Sequence, residues 1–325
     1  MLNLTGSTLC IVASPFQCLC MFEALHHFNI TDYDVLVGYC DELSLDKIDS
    51  LFKKKGIPYI KLKTAHVIKD LLFVGRRIKK RYTNFIIADF DNRNGYSIAC
   101  LLAKRSATVC FIDDGAQAYQ FFSVPPVRKT FKKKVKAVYT IYELLGSIKH
   151  IIRPIYYTVY DVSSDDYHII RNDMSLMRSG LKGIMNGIYI IGTNSSVLEF
   201  RDKSYKEYLA ALLKYIRNSF GETPVFYCPH RRDLNNEQVL DYCRLNNIFV
   251  FDTQISVEYD FVEKRINPKA IIGFNSNALY TLHILFPESI CQTVRFHLVD
   301  QERDKRNSDL TNKLQEKGIS VVELK

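Results

Sequence analysis

The chain of 325 residues contains no tryptophan. It has no run of eighteen apolar residues, so no segment is expected to cross a bilayer as a helix. Its nine cysteines are scattered. Only Cys18 and Cys20 are close, and no paired Cys-x-x-Cys spacing suggests zinc. Reduced thiols inside packed cores are the expectation. Internal repeats and low-complexity segments are absent. The opening Met1-Leu2-Asn3-Leu4-Thr5 carries no basic residue, and Pro15 and Gln17 break the apolar stretch behind it. That makes a poor signal peptide, and a cytoplasmic location is expected. No helix-turn-helix, zinc-finger or RNP signature supports nucleic-acid binding.

What is present is an ordinary globular composition, 47% apolar, with a net charge of +9. The length favours two domains. Lys53-Lys54-Lys55, Arg76-Arg77-Ile78-Lys79-Lys80-Arg81 and Arg128-Lys129-Thr130-Phe131-Lys132-Lys133-Lys134 hold much of the excess charge, all in the first half. They read as solvated faces or as a surface for anionic membrane lipid.

Apolar runs alternate with helical patterns. Strands are expected at 9–13, 33–38, 59–62, 84–88 and 107–112, with helices through Phe28, over 45–55 up to Gly56, over 66–81 and over 96–104. Regularity fades between 125 and 187, which reads as a connection packed on the first domain. The rhythm restarts at Tyr189-Ile190-Ile191-Gly192, with a helix over 204–220 and strands at 224–228, 248–251, 270–273, 294–298 and 319–322. Strands alternating with helices imply parallel, doubly wound sheets. Domains 1–180 and 181–325 are expected.

Chemistry-bearing residues fall where strands end, the ligand-binding edge of open α/β sheets. Phe111-Ile112-Asp113-Asp114-Gly115 closes a buried strand with two carboxylates and a glycine. Adjacent carboxylates repel, so one is expected to have its pKa raised toward neutral pH, and a positioned carboxylate that can accept a proton is what a general base requires. Asp-Gly is also ordinary turn chemistry. Tyr227-Cys228-Pro229-His230-Arg231-Arg232-Asp233 ends another strand with a histidine beside cations, suited to meeting a phosphate. Gly273-Phe274-Asn275-Ser276-Asn277 joins a strand to a helix. Its amides and dipole suit an anion, and Ser276 or Asn275 suits a helix cap. Glu258 lies between them and suits a ribose, or is a surface glutamate.

Asp113-Asp114-Gly115, Pro229-His230, Glu258 and Asn275-Ser276-Asn277, in this order, resemble the motifs of the bacterial GT-B sialyltransferases, which include the lipooligosaccharide sialyltransferases and capsule polysialyltransferases. Ala13-Ser14-Pro15-Phe16-Gln17 resembles the start of members of that group. The resemblance covers about 9–300. It implies a GT-B fold, two Rossmann-like parallel-sheet domains facing a central cleft, with Asp113 and His230 on opposite walls. The first domain would serve the acceptor and the second the CMP-sugar. It also implies inverting transfer of sialic acid from CMP-sialic acid to a hydroxyl of a surface glycan (lipopolysaccharide, O-antigen or capsule), with no metal and no other cofactor. The acceptor would be a lipid-linked oligosaccharide, and the basic runs suggest peripheral attachment to the inner face of the membrane, where such glycans are assembled. Carried over, Asp113 is the general base with Asp114 and Gly115 in support, and His230 meets the departing phosphate. Glu258 binds ribose. Gly273, Asn275, Ser276, Asn277, Pro229 and Arg231 line the nucleotide. Ser14, Gln17, Asn92, Asn94, Thr193 and Asn194 are candidates for sugar or acceptor contacts. Arg231 departs from the family's proline after the histidine, and Asn277 from its second Ser/Thr.

Other readings stay open. Kdo or another CMP-activated nonulosonic acid would suit the same residues. Asp89-Phe90-Asp91 spells the metal-binding motif of GT-A glycosyltransferases. A basic, non-catalytic binding module is the third alternative.

Overall fold

The structure, a computed structural model, describes residues 4–38, 40–62, 67–88, 93–114, 154–164, 168–181, 185–195, 198–230, 233, 236–274 and 276–324. The chain divides into two compact units, Met1–Leu176 and Met177–Lys325.

In the first unit the strands are β1 (Thr8–Val12), β2 (Tyr33–Val37), β3 (Tyr59–Lys61), β4 (Tyr82–Ala88), β5 (Ala103–Ile112), β6 (Ile155–Thr158) and β7 (His168–Arg171). They form one sheet in the order β3-β2-β1-β4-β5-β6-β7, and every pairing is parallel. The helices are α1 (Pro15–His27), α2 (Glu42–Lys55), α3 (Val67–Arg77), α4 (Arg93–Leu102) and the short α5 (Ser175–Ser179), inside which the division between units falls. β1 is buried along its whole length, as a central parallel strand covered on both faces must be. Each Leu or Ile so buried contributes about 1.5–3 kcal/mol.

Local sequence explains the helix ends. Ser14 caps α1 by accepting from the Gln17 N–H, and Pro15 takes the first helical position, where a missing N–H costs nothing. Gly56 ends α2 at φ 65°, the left-handed geometry in which glycine is least strained.

The second unit repeats the plan. Its strands are β8 (Met185–Ile191), β9 (Val225–Cys228), β10 (Phe249–Val250), β11 (Asn267–Gly273), β12 (Ile290–Val294) and β13 (Ser320–Val322). Their order is β10-β9-β8-β11-β12-β13, again all parallel. Its helices are α6 (Tyr205–Phe220), α7 (Glu237–Leu245), α8 (Val257–Glu263), α9 (Asn277–Leu285) and α10 (Gln301–Glu316). Each sheet therefore reverses direction once, between β1 and β4 and between β8 and β11. These are the switch points where open α/β sheets bind ligands.

Three expectations change. The fading stretch contains β6 and β7, which extend the first sheet. The strand expected at 294–298 lies at Ile290–Val294 instead. Helix α10 explains this shift: Asn307 Nδ2 donates to the Phe296 carbonyl at 2.7 Å, and Asp304 Oδ1 accepts from the Leu298 N–H at 2.8 Å. Side chains thus satisfy backbone groups that a strand would have paired. The basic helix expected over 66–81 stops at Arg77. Beyond it, Lys80 is paired with Asp32 and Asp34 at 2.8 and 3.0 Å, and Arg81 donates to the Leu101 carbonyl. The run is not one free helical face. The run at 128–134, the Asp89-Phe90-Asp91 motif and the helix-like stretch at 139–150 lie outside the described residues. No helix among the described residues is long and apolar enough to cross a membrane.

Candidate functional site

In the first unit, the two acidic residues after β5 have opposite surroundings. Asp113 is fully buried. Its Oδ1 accepts from the Tyr156 hydroxyl at 2.9 Å and the Thr158 hydroxyl at 2.7 Å, and its Oδ2 accepts from the Val159 N–H at 2.7 Å. All three donors belong to β6 or the residue after it. Burial pushes the carboxyl up to about 6, against the opposing pull of these three hydrogen bonds and the charge of Arg171. The expected cause was repulsion between neighbouring carboxylates. Loss of water is the cause instead, because Asp113 is turned toward β6.

Asp114 is half-buried, and its Oδ1 accepts from Gln17 Nε2 at 2.6 Å. Gln17 stands in the first turn of α1 and is 5% exposed, and its Oε1 accepts from the Ala13 N–H. That bond fixes which way the amide faces and aims its nitrogen at Asp114. β4 lies between β1 and β5, so the Gln17–Asp114 bond bridges the carboxyl end of β4, at the switch point. A base must reach the proton it takes. Asp113 has a suitable pKa but no exposed oxygen. Asp114 has exposed surface and a fixed orientation. The half-buried Ser14 hydroxyl is occupied in capping α1.

In the second unit, Pro229 is buried after β9 and His230 is half-buried. The His230 carbonyl accepts from the Asp233 N–H at 2.8 Å. Thr193 and Asn194, both half-buried, follow β8 and the close-packed Gly192. A Cβ on Gly192 would lie 2.6 Å from the Tyr227 hydroxyl oxygen. Across the switch point, Gly273 ends β11 in contact with α9: a Cβ there would lie 2.9 Å from Leu279. Ser276 caps α9 by accepting from the Ala278 N–H at 3.3 Å, and Asn277 is its first residue.

Glu258 is not a surface glutamate. It is 5% exposed in the first turn of α8, and its Oε1 accepts from the Thr281 hydroxyl of α9 at 2.8 Å. Burial raises its carboxyl above the ordinary value. It therefore ties α8 to the helix that Ser276 caps.

Gly115, Asn92, Arg231 and Asn275 lie outside the described residues, as do the side chains of Asn94 and Asn277. Among the described residues, no group of three or more His, Cys, Asp and Glu is placed to hold a metal ion. Tyr156, Thr158, Thr281 and Ser195 escaped the sequence reading. Each is a common residue whose role comes from a neighbour distant in the chain.

No family model matches the chain, and no curated protein matches its sequence. Solved structures do resemble it. The α/β-galactoside α-2,3-sialyltransferase of Photobacterium phosphoreum is 12% identical, with 98% of this chain and 99% of that one covered at a TM-score of 0.57. The GT-B domain of the Photobacterium damselae sialyltransferase is 14% identical, covers 97% and 99%, and scores 0.58. The 2,6-sialyltransferase of Photobacterium sp. JT-ISH-224, solved with CMP and lactose, is 12% identical, covers 98% and 78%, and scores 0.53. The fold is GT-B, two Rossmann-like units in one chain. The metal-binding GT-A alternative for Asp89 and Asp91, which needs a single-domain fold, does not fit it.

Proposed function

We propose that this protein is a glycosyltransferase that moves sialic acid from CMP-sialic acid to a hydroxyl of a glycan acceptor, with inversion and without a metal. The observation that carries the reading is the placement of Asp114 at the switch point of one doubly wound sheet. In the other sheet His230 follows β9, and Gly273 ends β11 just before Ser276, the cap of α9. The shared fold with bacterial sialyltransferases supports it.

In this reading the base is Asp114. It takes the acceptor proton as the hydroxyl attacks the anomeric carbon from the face opposite the phosphate, while Gln17 keeps its carboxylate aimed. Asp113, assigned as base from the sequence, holds the end of β5 against β6. The departing CMP carries a phosphate monoester. His230 meets that phosphate as hydrogen-bond donor or acid, and the N-terminus of α9 adds its dipole. Glu258 accepts from the ribose hydroxyls.

The purified protein should release CMP from CMP-sialic acid and label lactose, N-acetyllactosamine or a sialylated acceptor. CMP-Kdo belongs in the same donor panel. Release of CMP from Kdo alone would move the donor assignment and leave the chemistry in place. No release from any CMP-sugar would overturn the reading.

A further inference from the structure

The loop that carries His230 is anchored by a buried acid for which the proposed reaction has no direct use. Asp233 is 4% exposed. Its Oδ2 accepts twice from Ser195, from the backbone N–H and from the hydroxyl, each at 2.5 Å. Asn236 Nδ2 donates to the same Ser195 oxygen at 3.0 Å, and Asn236 caps α7. Within the loop, the Asp233 N–H donates to the His230 carbonyl at 2.8 Å and the Asn236 N–H to the Asp233 carbonyl at 3.1 Å. Two loops are thereby joined, the one after β8 that holds Thr193 and Asn194 and the one after β9 that holds His230.

A buried carboxylate holds its place strongly, because moving it strips hydrogen bonds from a charge that water does not reach. A ligand-facing histidine needs that kind of anchor, since misplacing a reacting group by about 1 Å costs on the order of 10²-fold in rate.

We propose that Asp233 is a positioning residue. Clamped by Ser195, it fixes the turn that presents His230 to the leaving phosphate. The inference rests on the function proposed above, and the experiment separates the two. Turnover and donor KM with CMP-sialic acid are measured for Asp233→Ala, His230→Ala and the double variant, with thermal unfolding and CMP binding as checks on folding.

Asp233→Ala should lower kcat by about 10²-fold. In the His230→Ala background it should cost little more, since both changes remove one function. Asp233→Asn keeps an acceptor oxygen and should retain most turnover. Ser195→Ala should lower kcat, and Ser195→Thr, which keeps the hydroxyl, should restore it. Losses that multiply in the double variant, or an unchanged kcat in Asp233→Ala, overturn the inference while the proposed function stands. Full turnover in His230→Ala overturns the inference together with the role given to His230, while the transferase reading stands. If Asp233→Ala does not fold, the Ser195 pair decides: wild-type kcat in Ser195→Ala contradicts the clamp.

Discussion

Gln17 and Asp114 lie 97 positions apart in the chain, yet Gln17 Nε2 donates to Asp114 Oδ1 at 2.6 Å. The contact joins the first turn of α1 to the residue just beyond β5, across the end of β4. It gives the acidic pair a division of labour. The outer carboxylate is aimed at the switch point by an amide whose own orientation is set by the Ala13 N–H. The inner carboxylate is enclosed by β6.

The enclosure of Asp113 has a pH signature. Its carboxyl stands at about 6 in the folded chain against 3.8 ordinarily. Between those values the folded protein holds a proton that the unfolded chain releases. Its contribution to stability is complete below the unfolded value and is lost as pH rises through about 6. Asparagine has no such proton. Urea unfolding of wild type and Asp113→Asn at pH 5 and pH 7.5 should show wild type gaining on the variant at the lower pH, by up to roughly 1.4 kcal/mol per pH unit. An offset independent of pH would contradict a folded carboxyl near 6.

Gly192 offers a packing test. The Tyr227 side chain, 1% exposed, leaves no space for a methyl group at this glycine. Gly192→Ala should destabilise the second unit by about 1–3 kcal/mol, the usual cost of overpacking. Tyr227→Phe removes the nearest atom, so the double variant should recover part of the loss even though the Tyr205–Tyr227 hydroxyl contact at 3.1 Å is gone. A strictly additive double variant would show that another contact limits the site.

The fold was largely readable from the sequence because parallel strands covered on both faces leave long apolar runs, as in β1, β4 and β11. β6 and β7 were missed because four-residue strands carry little periodicity and depend on a neighbouring sheet edge. β12 was misplaced because, beyond Val294, the Phe296 carbonyl and the Leu298 N–H are bonded by side chains of α10 rather than by a neighbouring strand. At the site, the strand-end positions of Asp114, His230 and Ser276 were visible. The separate surroundings of Asp113 and Asp114 were not. They depend on Tyr156 and Thr158 on one side and Gln17 on the other, and only the register of the sheet brings these together.

The metal question has its own measurement. A phosphate monoester leaves with less charge than a diphosphate, and His230 with the α9 N-terminus is proposed to meet it. Turnover should survive EDTA unchanged. Loss in chelator with recovery on adding magnesium or manganese would contradict a metal-free transfer.

The central claim is transfer driven by Asp114 and His230, and its most direct test is CMP release from CMP-sialic acid with and without a glycan acceptor. Asp114→Asn should lower transfer by roughly 10²–10⁴-fold, the range for loss of a general base. Asp113→Asn should retain most turnover where it remains folded. Glu258→Gln should act mainly on donor KM, because ribose contacts are made equally before and at the transition state. His230→Ala should lower transfer and acceptor-free hydrolysis together by about 10²–10³-fold, the scale for losing one donor to a developing charge. Transfer that persists in Asp114→Asn and vanishes in a folded Asp113→Asn would contradict the assignment of the base, and transfer that persists in both would contradict the account at its centre.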